Sequence, residues 1–100
     1  EPFEECAARE IREEVGMEAG TLTHVGSFYL APGYSTEYMG VFLATDLKHN
    51  PLEADDDEFL SVEKITVAEA VKMAERGEMP DAKSLAALLM ARPHLEGYIK

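Results

Sequence analysis

The fold class that the sequence predicts is α/β of the α+β kind, with helices covering a mixed sheet. Three observations carry it. Residues 2–15 repeat apolar side chains at helical spacing. Two extended apolar segments follow, separated by "APGYS". The last third holds two more helical segments, each preceded by a capping residue.

The elements follow in order. Pro2 suits a first helical position, where its missing N–H costs little. Ala7, Ala8, Ile11 and Val15 fall on one side of a helix by the 3.6-residue period. Gly16 is placed to end that helix in a left-handed conformation. "THVGSFYL" reads as a strand, then a turn, then "TEYMGVFLATDL" as a longer strand. In the second, Met39, Val41 and Leu43 alternate with Phe42 and Ala44, so both faces are apolar, the mark of a central strand. "KHNPLEADDDE" reads as a loop with turn chemistry at "HNP", and "FLSVEKI" as a third strand. Thr66 is the expected cap of a helix over "VAEAVKMAERG", closed by Gly77. Asp81 is the expected cap of "AKSLAALLMAR", stopped before Pro93. Met73 and Met90 read as core.

Twenty carboxylates face nine basic residues, a net charge of −11. A protein that binds nucleic acid by neutralising phosphates carries the opposite sign, so no nucleic-acid partner is expected. A phosphorylated ligand would need a cation between it and this chain. The single cysteine, Cys6, cannot form an intramolecular disulfide, which fits a reducing compartment such as the cytoplasm. No apolar run approaches the roughly 18 residues of a spanning helix, so no membrane partner is expected. The chain opens on "EPFEECAARE", already inside a helical pattern, and the expectation is an N-terminal truncation.

The first helix poses an electrostatic question. Glu10, Glu13 and Glu14 lie within about one turn, and like charges at i, i+4 weaken a helix by a few tenths of a kcal/mol per pair. Oxygen-only donors suit Mg²⁺ or Mn²⁺, whereas zinc would recruit histidine or cysteine. Arg9 can pair with Glu13 at i+4. From spacing alone a solvated acidic face remains the simpler account, beside a metal site.

The order of residues is more specific. Glu1 is followed by seven residues and then by Arg9, Glu10, Ile11, Arg12, Glu13, Glu14, Val15, Gly16 and Met17. This resembles the Nudix box, G-x5-E-x7-R-E-U-x-E-E-x-G-U with U a bulky aliphatic, at every position from Glu1 onward. The opening glycine would lie six residues before Glu1. Downstream, "APGYSTE", with Pro32 fifteen residues after Met17, resembles the loop of the ADP-ribose pyrophosphatase branch. The segment "DDDEFLSVEKITVAEAVKMAERGEMPDAKSLAAL" resembles the end of the same branch. Ala31 departs from the serine common there.

The resemblance implies a Nudix α/β/α sandwich, with residues 1–100 the C-terminal part of one domain and its early strands absent. It implies a homodimer and a Mg²⁺-dependent hydrolase, Mn²⁺ also serving, acting on a nucleoside diphosphate linked to another group. Glu10 and Glu14, assisted by Glu13, would hold the ions, and Arg9 would brace them. Pro32, Gly33 and Glu37 would line the substrate, Glu37 at its terminal ribose. Glu58 would be the catalytic base and a further metal ligand, with Asp56 as the shorter alternative. The expected reaction is ADP-ribose to AMP and ribose 5-phosphate. Another nucleotide sugar, a dinucleotide, or a non-catalytic Nudix-fold binding domain are the rival readings. His24, His49 and His94 show no ligand spacing. Cys6 reads as packing; Tyr34 and Tyr38 could stack on a base, but strand aromatics more often fill a core or interface, and they are read so.

Overall fold

The computed structural model describes residues 2–31, 33–34, 36–52 and 62–98. In chain order these form helix α1 (Phe3–Glu14), strand β1 (Met17–Tyr29), strand β2 (Tyr38–His49), helix α2 (Val67–Glu75) and helix α3 (Ala82–Ala91). Two short 3₁₀ turns, Arg92–His94 and Glu96–Tyr98, follow. The α/β class holds. Two compact units are described separately: Glu1–His24 with Phe42–Glu63, and Val25–Val41 with Lys64–Lys100.

In the first unit α1 starts after Pro2 and ends at Val15, whose N–H bonds back to Ile11 O at 3.0 Å. Gly16 follows at φ 76°, a conformation that a Cβ would strain. β1 pairs with β2 to form a two-stranded sheet. Gly20 and Thr21 both lie against Asp46, which adopts φ 54°. Aspartate is among the few residues that tolerate this φ. A Cβ on Gly20 would sit 2.8 Å from the Asp46 Cβ and 2.9 Å from its carbonyl oxygen. The absence of a side chain at Gly20 is therefore a packing requirement.

In the second unit both helix caps are as expected. Thr66 Oγ1 accepts from the Glu69 N–H at 3.0 Å, and Asp81 Oδ1 accepts from the Ser84 N–H at 2.8 Å. α2 closes with Gly77 at φ 75°: the Glu78 N–H reaches Met73 O and the Gly77 N–H reaches Ala74 O. That pair of bonds is a Schellman closure, which satisfies carbonyls left over at the helix end. Val71 and Ala91 are the buried apolar residues among those described, and Met73 and Met90 are half-buried. A Cβ on Gly26 would come within 2.6 Å of Met90 Sδ, so glycine there leaves room for α3 against β1.

Three expectations are corrected. β1 begins at Met17, six residues before the expected Thr23, although "MEAGTL" is poor in strand-forming residues; pairing with β2 overrides propensity. β2 runs on to His49, two residues into the expected loop. In "FLSVEKI" the described residues, Val62–Ile65, form no strand, and Val62 and Ile65 are exposed. Their apolar pattern lacks a bonded neighbour among the described residues, and a strand needs one to satisfy its backbone. Met39–Thr45 of β2 are half-buried on both faces, as its two-sided pattern predicts, although its partner among the described residues is β1 alone.

Two measurements check this packing. Gly20→Ala forces the strands apart at Asp46 and should cost about 1–3 kcal/mol in urea unfolding, the usual cost of overpacking; an unchanged midpoint would show that the strands yield freely. Asp81 is held below the ordinary carboxylate range, first by the Ser84 N–H bond and then by the Ser84 hydroxyl. Its stabilising effect is thus complete above the unfolded carboxylate's pKa and fades as pH falls through the folded one. The stability gap between wild type and Asp81→Ala should accordingly be open at neutral pH and close in acid.

Candidate metal and active site

The candidate site is built on α1. Its carboxylates occupy the last two turns: Glu10 and Glu14 are exposed and Glu13 is half-buried. Arg9 Nη1 donates to Glu13 Oε1 at 3.0 Å and to Oε2 at 3.3 Å, so the expected i, i+4 pair forms and both carboxylate oxygens share it. Glu10 Oε1 accepts a long contact from Cys6 Sγ at 3.6 Å, and Arg9 Nη2 also approaches that sulfur, at 3.8 Å. Cys6 is thus tied into the polar stripe as well as half-buried.

Among the described residues, no group of three His, Cys, Asp or Glu is gathered closely enough to hold a metal ion. The stripe supplies carboxylates in series along a helix, and Glu13 is turned to Arg9. The donor set nevertheless fits a hard divalent cation: oxygen donors only, on accessible side chains, with mutual repulsion that a cation would relieve. Asp56 and Glu58 lie outside the described residues, as does Pro32.

The end of α1 is secured by residues far away in sequence. Arg12 Nε donates to Asn50 O at 2.9 Å, the Leu52 N–H donates to Arg12 O at 3.2 Å, and the Asn50 N–H donates to Gly16 O at 3.0 Å. Asn50 Nδ2 also reaches Glu18 Oε1 at 3.4 Å. Sequence reading passed over Arg12. The signal available was a basic residue in the last turn of a predominantly acidic helix, where its charge complements the negative end of the helix dipole.

In the second unit, Gly33 sits in the β1–β2 turn at φ 91° with open space around its Cα. Glu37 is exposed there, and its carbonyl accepts from the Leu30 N–H at 3.0 Å. Tyr34 is almost wholly exposed, at 97%, so it is not a core residue here. Tyr38 packs on Tyr29 with ring centroids 4.8 Å apart. His24, in the first unit, stacks on Phe42 at 4.8 Å, which accounts for it without a ligand role. A groove of about 390 Å³ between α2 and α3 is lined by Val71, Ala74, Leu85, Leu88 and Leu89, with Glu75 and Arg92 at its polar margin. It is apolar and contains none of the site residues the sequence suggests.

The helix, its Arg9–Glu13 pair and the glycine that ends it correspond to a known pattern, and a model of the NUDIX domain matches residues 1–88. The chain belongs to the Nudix family. It is 40% identical over 87 residues to the ADP-ribose pyrophosphatase of Bacillus subtilis (strain 168), covering 85% of this chain and 47% of that protein. It is 33% identical to the ADP compounds hydrolase NudE of Escherichia coli (strain K12), over 93% of this chain and 50% of that one. The solved structure of an ADP compounds hydrolase superposes with a TM-score of 0.84 at 33% identity, over 97% of this chain and 52% of the other. The chain therefore spans about half the length of the curated Nudix relatives it matches.

Proposed function

We propose that this Nudix chain is part of a Mg²⁺-dependent pyrophosphohydrolase that cleaves ADP-ribose to AMP and ribose 5-phosphate. The observation that carries the reading is the α1 stripe, three carboxylates in the Nudix order with Arg9 gripping the middle one. The substrate choice is supported by the 40% identity to a protein named ADP-ribose pyrophosphatase. A second reading, another nucleotide sugar, is favoured by a 31% identical relative named GDP-mannose pyrophosphatase from Yersinia enterocolitica.

Glu10, Glu13 and Glu14 would hold the divalent cation, with Glu58 as a further ligand. When bound, the cation neutralises diphosphate oxygens and acidifies a water. Arg9 keeps the Glu13 carboxylate in one orientation through its two-oxygen contact. Glu58, with Asp56 as the shorter rival, takes the proton of the attacking water, since the helix carboxylates are committed elsewhere. Pro32, Gly33 and Glu37 contact the substrate, Glu37 at the terminal ribose. The bond broken joins a bridging oxygen to phosphorus, and water supplies the new oxygen. A homodimer in the cytoplasm completes the proposal. No helix among the described residues is long and apolar enough to cross a membrane.

Two experiments on the full-length protein test this. AMP release from ADP-ribose should require Mg²⁺ or Mn²⁺, stop in excess chelator, and fall by orders of magnitude in Glu14→Gln with the fold retained; full turnover under either condition would remove the assignment. At saturating Mg²⁺, Glu58→Gln should lower turnover about 10²–10⁴-fold and alter the acidic limb of the pH–rate profile. Wild-type behaviour in both Glu58→Gln and Asp56→Asn would mean that the base lies elsewhere.

A further inference from the structure

We infer that Arg12 is a positioning residue that keeps the Glu13–Glu14 turn of α1 closed and thereby sets the cation affinity of the stripe. The inference rests on the reading of α1 as the carrier of the cation site. It concerns the one residue between Ile11 and Glu13 that the Nudix pattern leaves open.

The argument begins with the helix end. The last four carbonyls of an α-helix have no partner within it, and the C-terminus carries a partial negative charge. Here that end also carries Glu13 and Glu14, so electrostatics favours fraying where the ligands sit. Two contacts centred on Arg12 oppose it. Its own carbonyl is satisfied by the Leu52 N–H at 3.2 Å, and its guanidinium reaches back to the same strand exit through Nε to Asn50 O at 2.9 Å. The Asn50 N–H then closes on Gly16 O, one residue beyond the helix cap. Residue 12 thus donates to and accepts from a single three-residue segment, and it does so from a half-buried position. Arg9 plays a different part: it donates to Glu13 and approaches the Cys6 sulfur, each about one turn away along α1.

Charge and position predict opposite outcomes. A cation beside a metal site repels the metal, so removing the Arg12 charge alone would tighten divalent binding. Losing the pin loosens the turn that presents Glu13 and Glu14, and so weakens binding. The sign of the change decides between them.

The experiment measures Mn²⁺ binding to the full-length protein, by the paramagnetic signal of free Mn²⁺, for wild type, Arg12→Gln and Arg12→Lys. Hydrogen exchange at the Leu52 amide is followed alongside. Arg12→Gln should bind Mn²⁺ about 10–100-fold more weakly, the usual cost of losing a residue that orients metal ligands. Arg12→Lys keeps the charge but moves the donor one atom along the chain, so it should also bind more weakly, though by less. The Leu52 amide should exchange faster in both variants, while the Glu69 amide, capped by Thr66, stays unchanged as the control. If Arg12→Gln does not fold, Arg12→Lys carries the test alone. Equal or tighter Mn²⁺ binding in the variants, or unchanged Leu52 exchange, overturns the role of Arg12 and leaves the functional reading standing. Failure of the wild type itself to bind Mn²⁺ would instead overturn the functional reading, and this inference with it.

Discussion

The repulsion among Glu10, Glu13 and Glu14 is the constraint around which the first unit is organised. Placing like charges on one helical turn weakens the helix, and placing two of them at its C-terminal end sets them against the helix dipole as well. The structure meets this cost with two arginines of different reach. Arg9 neutralises locally, at 3.0 Å from Glu13 and one turn away. Arg12 ties the helix end to the exit of β2, across 38 residues of sequence. An exposed ion pair such as Arg9–Glu13 contributes at most about 1 kcal/mol. It orients a carboxylate more than it stabilises a fold.

The hairpin makes the long-range tie available. β1 leaves directly from Gly16, whose φ of 76° turns the chain from helix into strand. β2 returns antiparallel to it and delivers Asn50 back to the Gly16 carbonyl. Asp46, whose positive φ and close approach to β1 need the bare Cα of Gly20, lies shortly before that return. Helix closure, hairpin pairing and the placement of the acidic turn are one connected arrangement.

The second unit is held differently. Its helices carry side-chain caps at Thr66 and Asp81 and a glycine closure at Gly77, all made within a few residues. Its apolar contacts are modest: Leu89 is 73% exposed and Leu85 40%. Local chemistry defines these helices, and burial at Val71 and Ala91 adds packing.

What the sequence determined by itself was whatever depends on neighbours a few residues away. The extent of α1, the left-handed Gly16 and Gly77, the Thr66 and Asp81 caps and the Arg9–Glu13 pair were all legible, because each is an i to i+4 relation or a backbone preference of one residue. The order of glutamates was legible too, and with it the family. Only the tertiary structure decided where β1 begins, that Val62–Ile65 stays outside the sheet, that Asp46 takes a positive φ, and that Arg12 ties the end of α1 to the segment after β2. Each of these turns on residues distant in sequence: β2 for "MEAGTL", the lack of a bonded strand among the described residues for Val62–Ile65, Gly20 for Asp46, Asn50 and Leu52 for Arg12. Strand pairing and backbone-to-side-chain bonds across such separations leave no periodic trace in the local pattern, since a carbonyl accepts a bond whatever its own side chain is.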